Sequence, residues 1–388
     1  MLHTGTAPMR SAEPLGVYIH IPFCKSKCPY CDFCSFPHPD EALMSAYVDR
    51  LAESLALWGE KCKHRGVDTV YFGGGTPTLL PQNSVSTLLS AVSHHFHLLP
   101  DAEITLECNP ATINRTLLSL WHEGGVNRLS MGAQSAHAIE LKGLGRLHTW
   151  DDVIRTVEIS RAVGIDNINL DFMIGIPHQT PQSLIATLDA AISLAPDHLS
   201  AYCLMIEEGT PFAKRGVQAL GIPDDDGMAD LFELASSHIK SHGYEHYEIS
   251  NYAHPGKRSR HNLHTWQGKE YIGIGVAAHG YVDSVRYGNS RDLKAFLAGE
   301  DIVESRRIIT SQEAVEESVM LGLRLSDGID LADIFRRMGK EISSQTNALL
   351  RRLSEQGLIR SNGTRISLTD QGFLLSNQII SLLLEALM

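Results

Sequence analysis

The chain has 388 residues, of which 43% are hydrophobic and 20% are charged, and its net charge is −12. This composition suits one large globular domain with one or two small ones. The acidic balance, with no polybasic block, argues against a protein that wraps nucleic acid. No apolar run approaches the roughly 18 residues of a membrane span, and the N-terminus lacks the apolar core of a secretory signal. We therefore expect a cytoplasmic protein whose thiols stay reduced.

Strand-like and helical patterns alternate through the first half of the chain. Strands are predicted at 16–21, 67–75, 103–109, 127–135, 167–177 and 198–207. Helices are predicted between them, at 40–62, 84–97, 111–124, 151–163 and 181–194. This alternation predicts parallel strands joined by right-handed crossovers. Since a closed barrel needs eight such units, six units predict an α/β fold with a partial (β/α)6 barrel.

The pattern changes in the second half of the chain. We expect an N-terminal tail at 1–15, the partial barrel at 16–210, an extension of the barrel at 211–300 and a separate domain at 301–388. The last segment shows several helical patterns, then a short strand and an LTDQG turn, which predicts a mostly helical, winged-helix-like domain. Such domains often bind DNA, but the mixed charge here favours an interaction module.

Four of the seven cysteines lie together in IHIPFCKSKCPYCDFCSF, residues 19–36. Cys24, Cys28, Cys31 and Cys34 follow the first predicted strand, where parallel α/β barrels carry their chemistry. Three alternatives are open. A zinc site usually needs two separated pairs of ligands, a ferredoxin-type cluster uses four cysteines, and a three-thiolate cluster leaves one iron open. The other three cysteines are isolated, as buried structural thiols often are.

Unusual residues stand at the ends of the following predicted strands. The GGGTP run, with glycines at 73–75, ends the second strand and would let a ligand approach the backbone. Glu107, Gln134 and Asp171 lie at the end of the third and fourth strands and within the fifth. Any one of them could be a satisfied buried polar group. Together they would converge on one cavity, which favours a binding site.

The C-x3-C-x2-C spacing after Y-x-H-I-P-F resembles the radical S-adenosylmethionine enzymes. The resemblance implies that Cys24, Cys28 and Cys31 bind a [4Fe-4S] cluster. It also implies that the open iron chelates the amino and carboxylate groups of S-adenosylmethionine. Cys34 would then have no place in the cluster.

The whole chain from about residue 16 resembles the subgroup around the oxygen-independent coproporphyrinogen oxidase, in which two S-adenosylmethionine molecules can bind. By that resemblance, the first molecule would contact Tyr18, Gly74 and Glu107. The second would contact Tyr30, Gly75, Thr76, Gln134, Arg146 and Asp171. The guanidinium of Arg146 could meet a carboxylate with two hydrogen bonds.

The segment HNLHTW, residues 261–266, resembles the HNxxYW motif of heme chaperones of the HemW type. The resemblance implies heme binding through His261 and Trp266, because imidazole is a common axial ligand of heme iron and aromatic rings pack on apolar planes. His264 is an alternative ligand. Thr265 stands where that family usually has tyrosine. The short N-terminus, and the position of Cys34 three residues after Cys31, also fit these chaperones better than the oxidase.

Two functions follow from these resemblances. One is a heme chaperone that carries a [4Fe-4S] cluster, S-adenosylmethionine and heme, and that passes heme to apo-hemoproteins. The other is an oxygen-independent coproporphyrinogen III oxidase. A homodimer is left open and no nucleic-acid partner is expected. No side chain is singled out as a catalytic acid, base or nucleophile.

Overall fold

The computed structural model describes residues 13–387, so most of the predicted N-terminal tail lies outside the described part. In this range the strands are β1 (Leu15–Ile21), β2 (Phe23–Cys24), β3 (Phe36–Pro37), β4 (Gly66–Gly74), β5 (His97–Cys108), β6 (Arg128–Gln134), β7 (Asn167–Ile174), β8 (His198–Cys203), β9 (Glu245–Glu248), β10 (Asn251–Ala253), β11 (Tyr271–Ile274), β12 (His279–Val282), β13 (Val285–Asn289), β14 (Val303–Ile308), β15 (Ile329–Asp330), β16 (Ile359–Asn362) and β17 (Arg365–Leu368).

The helices of the same range are α1 (Glu41–Cys62), α2 (Ser84–His95), α3 (Arg115–Glu123), α4 (Ala138–Gly143), α5 (Trp150–Ala162), α6 (Pro181–Ser193), α7 (Pro211–Arg215), α8 (Val217–Leu220), α9 (Asp225–Ser241), α10 (Arg260–Trp266), α11 (Leu293–Ala298), α12 (Ser311–Gly322), α13 (Leu331–Met338), α14 (Ser344–Glu355), α15 (Asp370–Leu374) and α16 (Ser376–Leu387). None of the described helices has the length and apolar character needed to cross a bilayer.

The six predicted strands lie side by side in chain order, as β1, β4, β5, β6, β7 and β8. Every neighbouring pair among them is parallel, with Tyr18 opposite Tyr71 and Tyr71 opposite Thr105. The long helices α1, α2, α3, α5 and α6 connect these strands. The predicted partial barrel is therefore confirmed.

Side chains alternate along these strands between two different surroundings. On β1, Val17 and Ile19 face outward and join a hydrophobic core with the helices. Their neighbours Tyr18 and His20 face the barrel interior, where the hydroxyl of Tyr18 lies 2.9 Å from Nδ1 of His20. Because successive strand residues point to opposite faces, one face holds the helices and the other forms a polar interior.

The sheet continues beyond these six strands on both sides. β11 pairs with β1 in parallel, and β12, β13 and β14 follow it in antiparallel order. On the other side, β10 and β9 pair in antiparallel order beyond β8. The result is a sheet of twelve strands within residues 13–387. Residues 211–300 thus supply strands to both edges of the barrel.

The C-terminal part has its own core and its own small sheet. β15, β17 and β16 form an antiparallel sheet, and α12 to α16 pack around it. This order of helices followed by a hairpin is the winged-helix-like arrangement predicted from the sequence. The module contacts the edge of the barrel through a bridge between Glu248 and Leu325 and through an ion pair between Lys240 and Asp370.

Candidate functional site

A cavity of about 480 Å³ opens at the carboxyl ends of the parallel strands. Loops after parallel strands meet at this end of a barrel, so side chains distant in sequence come together there. Among the residues predicted for the site, those that line the cavity are Cys24, Cys28, Tyr30, Cys31, Gly74, Gly75, Thr76, Glu107, Gln134, Arg146 and Asp171. Tyr18, His261 and Trp266 are not among the lining residues.

Three of the four clustered cysteines share one side of this cavity. Cys24, Cys28 and Cys31 line it and are partly exposed, whereas Cys34 does not line it. Cys34 packs against the hydrophobic core, and its carbonyl oxygen accepts a hydrogen bond from Nε2 of His20 at 3.3 Å. This separation fits a cluster held by three thiolates and disfavours one held by all four cysteines.

The surroundings of the three thiols can support metal binding. Burial raises the pKa of Cys24 and of Cys31, so deprotonation needs a nearby positive charge, which a bound metal supplies. The hydroxyl of Thr76 lies 3.7 Å from Sγ of Cys24. Nη1 of Arg146 lies 4.0 Å from Sγ of Cys28. Three convergent thiols beside open space fit an iron–sulfur cluster with one free coordination position.

The glycine run is required by the packing of the protein itself. Gly74 has φ +112°, and an added Cβ would lie 2.5 Å from the ring of His20. An added Cβ on Gly75 would lie 2.6 Å from the carbonyl oxygen of Phe23. The amide of Gly75 donates to the carbonyl oxygen of Ile21, at the end of β1, at 2.8 Å, and the amide of Thr76 donates to that of Phe23, beside Cys24, at 2.7 Å. The run therefore clamps the loop that carries the cysteines onto β4.

Glu107 is a partly buried carboxylate that lines the cavity. It accepts hydrogen bonds from the hydroxyl of Tyr71 at 2.8 Å and from the amide of Gly74 at 3.0 Å. Burial raises its pKa to about 7. A carboxyl group whose pKa lies near 7 is ionised in part of the molecules at neutral pH. Its carboxylate form can accept a further hydrogen bond, such as one from the amino group of a ligand.

A second group of polar side chains lies on the wall formed by β6 and β7. Nη2 of Arg146 donates to the carbonyl oxygen of Gly132 at 2.9 Å, and its buried Nε has no hydrogen-bond partner among residues 13–387. Asp171 accepts from the amide nitrogen of Asn169 at 2.7 Å, and burial raises its pKa. Gln134 has a left-handed backbone with φ +64°, which turns the end of β6. A cation and an acid on one wall suit a ligand that carries both charges.

Tyr18 and His261 lie together beneath the cavity, inside the barrel. The rings of Tyr71 and His261 stack with centroids 5.0 Å apart, and that of Tyr18 is 6.3 Å from His261. Nδ1 of His261 lies 2.9 Å from the hydroxyl of Thr69, and its amide donates to Glu103 at 3.1 Å. Burial, with a smaller effect of His264, lowers the pKa of His261 to about 3. His261 is only 7% exposed. Its imidazole is therefore neutral in this buried position.

Trp266 and Thr265 stand at the end of α10. The half-buried ring of Trp266 has the guanidinium of Arg324 at 5.7 Å from its centroid. The side chain of Thr265 is exposed. The structure thus divides the motif, with His261 directed into the barrel and Trp266 facing the C-terminal module.

Several cavity residues were missed by sequence reasoning. Tyr71, Ser130 and Tyr202 line the cavity, and the exposed side chains of Phe33 and Leu147 lie at its edge. The alternation of side chains along β4 could have predicted Tyr71, because residues two apart on a strand face the same side and Gly73 was already assigned to the site. The two apolar loop residues carried no such signal, since loops have no fixed periodicity.

Comparison with known proteins identifies the domains and the fold. The Radical SAM superfamily matches residues 18–191, and the HemN C-terminal domain matches residues 309–375. The solved structure of coproporphyrinogen III oxidase (HemN) from Escherichia coli, described as a Radical SAM enzyme, shares the fold with a TM-score of 0.81 at 22% identity, covering 96% of this chain and 90% of that one.

Curated relatives match nearly the whole chain. The heme chaperone HemW of Bacillus subtilis is 32% identical, covering 95% of this chain and 99% of the relative. The heme chaperone HemW of Mycobacterium tuberculosis is 35% identical, covering 98% of this chain and 97% of the relative. That of Escherichia coli is also 35% identical, covering 97% of this chain and 100% of the relative. With its three cavity thiols and its radical S-adenosylmethionine barrel, the chain belongs to the HemW heme chaperone family.

Proposed function

We propose that this protein is a heme chaperone that binds a [4Fe-4S] cluster, S-adenosylmethionine and heme, and that delivers heme to apo-hemoproteins. The observation that carries the proposal is the match to relatives named heme chaperone HemW over 95–98% of this chain. The three-thiol cavity supports the cofactor part of the proposal. Its thiols need a reducing compartment, which agrees with the expected cytoplasmic location.

Cys24, Cys28 and Cys31 would hold the cluster, which when bound supplies an electron and an open iron for the amino and carboxylate groups of S-adenosylmethionine. Glu107 and Gly74 would receive the amino group, because both face the cavity and are already joined by a 3.0 Å hydrogen bond. Arg146 would stabilise the adjacent Cys28 thiolate by its charge.

A second S-adenosylmethionine would lie against the wall formed by β6 and β7. Arg146 is suited to bind a carboxylate, since its buried Nε has no partner within the described residues and a planar guanidinium donates in parallel pairs. Tyr30, Gly75, Thr76, Gln134 and Asp171 line the same cavity, as this assignment requires. Tyr18, which the resemblance assigns to the first S-adenosylmethionine, does not line the cavity, so it would support that molecule only indirectly.

His261 and Trp266 would contact heme only after α10 moves. His261 stacks on Tyr71, and Trp266 is covered on one side by Arg324. Release of α10 must break the hydrogen bonds that the amides of Arg260 and His261 donate to Glu103, both 3.1 Å.

The test is an anaerobic heme titration of the cluster-reconstituted protein, followed by absorbance. His261→Ala should weaken heme binding by about tenfold or more, equivalent to about 1.4 kcal/mol. Thr69→Val keeps the imidazole but removes its 2.9 Å hydrogen bond, so it should bind heme at least as tightly as the wild type. Wild-type affinity in His261→Ala would refute the role of this residue, and absence of binding by the wild-type protein would refute the chaperone.

A second candidate is the oxidative decarboxylation of coproporphyrinogen. It is favoured by one observation, namely that every residue predicted for the second S-adenosylmethionine lines the cavity. An anaerobic assay with reductant, S-adenosylmethionine and coproporphyrinogen tests it directly. Formation of protoporphyrinogen by cluster-loaded protein would support the enzyme, and its absence would leave the chaperone as the function.

A further inference from the structure

Two helices on the outer side of the barrel bring three potential metal ligands together, away from the cavity. α6 packs against α9. Asp189 lies on α6, His238 lies on α9, and His242 follows the last residue of α9. The side chains of Asp189 and His238 are 55% and 20% exposed, and His242 is also exposed. A metal ion can therefore reach all three from solvent.

The geometry of the three side chains suits one ion. One ligand atom from each lies within 4.8 Å of the other two. Nε2 of His238 is 2.7 Å from Oδ1 of Asp189, and the two imidazole centroids are 4.6 Å apart. The histidines are four residues apart, so they share one face of the helix.

The second histidine is already oriented for coordination. Nδ1 of His242 lies 2.9 Å from the carbonyl oxygen of His238, to which it donates. This leaves Nε2 of His242 with its lone pair. Metal-binding histidines usually donate their other ring nitrogen to a carbonyl or carboxylate in this way, which fixes the tautomer and the ring. The carbonyl end of α9 also favours a cation nearby.

We propose that Asp189, His238 and His242 form a zinc-binding site that joins α6 to α9. Two imidazoles and a carboxylate are ligands that Zn²⁺ prefers, and a fourth position would hold water. Calcium and magnesium select oxygen ligands instead. Zinc-bound atoms lie about 2.0–2.1 Å from the ion, which places them roughly 3.3 Å from one another in a tetrahedral site. The 2.7 Å pair of Asp189 and His238 must therefore open slightly, and His242 must approach it. Their exposure makes that adjustment inexpensive.

The site differs from a simple ion pair between Asp189 and His238. Such a pair would not use His242, whose imidazole also faces His238. It also differs from the cysteine cavity, because none of the three residues lines that cavity. The proposal is independent of the chaperone function, so either can fail alone.

The test uses the full chain with its iron–sulfur cluster reconstituted anaerobically, because free cluster thiols would themselves bind zinc. Zinc is titrated against a chromogenic chelator into the wild type, His242→Ala, Asp189→Asn and the control His97→Ala. His97 is an exposed histidine at the start of β5. The cluster absorbance is followed throughout to show that zinc leaves it in place.

We expect one zinc site in the wild type and in His97→Ala, weakened about tenfold or more in His242→Ala and in Asp189→Asn. The thermal midpoint should rise with zinc in the wild type, because binding only the folded state stabilises it, and should rise less at the same zinc concentration in His242→Ala. Equal zinc affinity in the wild type and either ligand variant would overturn the site. Circular dichroism without zinc shows that each variant is folded.

Discussion

At the scale of single residues, four neighbouring thiols occupy two different environments. Cys24, Cys28 and Cys31 line the cavity, whereas Cys34 packs against the core. Spacing alone left a four-cysteine cluster open, because Cys34 lies only three residues beyond Cys31. The path of the loop between β1 and α1 separates Cys34 from the other three thiols and so favours the three-thiolate alternative.

Substitution of single cysteines tests this division. Cys28→Ser should lose most of the cluster, because a hydroxyl is a much poorer iron ligand than a thiolate. Cys34→Ser should retain it, since Cys34 does not line the cavity. Iron and sulfide content with the visible absorbance after anaerobic reconstitution measures both. Loss of the cluster from Cys34→Ser would contradict the three-thiolate site.

A second residue-scale effect comes from Glu107, whose pKa is raised to about 7 by burial. Above that pH the free protein carries a carboxylate that can accept from the amino group of S-adenosylmethionine. Below it the carboxyl group is protonated, so binding must first release a proton. We expect the affinity for S-adenosylmethionine to fall as the pH decreases from 8 to 6.

Glu107→Gln should weaken S-adenosylmethionine binding by about tenfold to a hundredfold, since a hydrogen bond to a charged group contributes about 1.5–3 kcal/mol. Its pH dependence should also be shallower than that of the wild type. Equilibrium binding of the cluster-loaded protein at several pH values measures both effects. A variant with wild-type affinity and pH profile would show that Glu107 does not contact the ligand.

At the scale of elements, the end of β4 holds the cysteine loop in place. The amides of Gly75 and Thr76 donate to the backbone at the end of β1 and in β2, and Gly74 lies against the ring of His20. Glycine is needed here for two reasons, a positive φ of +112° and the absence of room for a Cβ. This strand end therefore links the stability of the fold to the candidate cofactor site.

Gly74→Ala should destabilise the protein by about 2–3 kcal/mol, because backbone strain alone costs about 1–3 kcal/mol and the Cβ would lie 2.5 Å from His20. Gly209→Ala is the matched control, with φ +84° and no atom within 4 Å of an added Cβ. It should cost only about 1 kcal/mol. Thermal unfolding followed by circular dichroism compares the two, and equal losses would show that packing against His20 is unimportant.

The position of α10 determines whether the predicted heme-binding residues are accessible. Its sequence predicted a heme-binding segment, and the helix closes the amino end of the barrel below the cavity. Glu103 accepts from its first two amides, and His264 pairs with Asp68 at 3.0 Å. If His261 binds heme as proposed, these contacts would keep it covered until α10 is released, so α10 is the element to follow in a heme titration.

At the scale of the whole molecule, the C-terminal module packs beside the barrel and contributes none of the cavity residues within 13–387. Asp370 joins the two parts, because it pairs with Lys240 on α9 and with His246 on β9. Hydrogen bonding from His246, together with Lys240, holds the pKa of Asp370 below its usual range. This contribution to stability is present above the unfolded pKa of about 3.9 and is lost as the pH falls through the folded pKa.

Asp370→Asn should loosen the module by about 0.5–1 kcal/mol at pH 7, a modest effect because the pair is partly exposed. Hydrogen exchange of the cluster-loaded protein should become faster in α16 and remain unchanged in β1. Asp301→Asn is the control, as its pair with Arg306 is highly exposed at 3.9 Å. The variant and the wild type should begin to converge below about pH 4, where Asp370 protonates in the unfolded state, and should coincide only below the lower pKa of the folded state. Unchanged exchange in α16 at pH 7 would show that this pair does not secure the module.

Local patterns in the sequence determined a large part of this protein. Alternating strands and helices predicted six parallel strands, and cysteine spacing with the GGGTP run predicted a cavity of thiols and glycines, because periodicity and loop position are local properties of a chain. Tertiary structure alone decided that Cys34 faces the core and that His261 lies beneath Tyr71. It also decided that β9 to β14 extend both edges of the sheet, and that Asp189 meets His238 and His242. Each of these depends on contacts between distant segments, whose register and orientation no local pattern specifies.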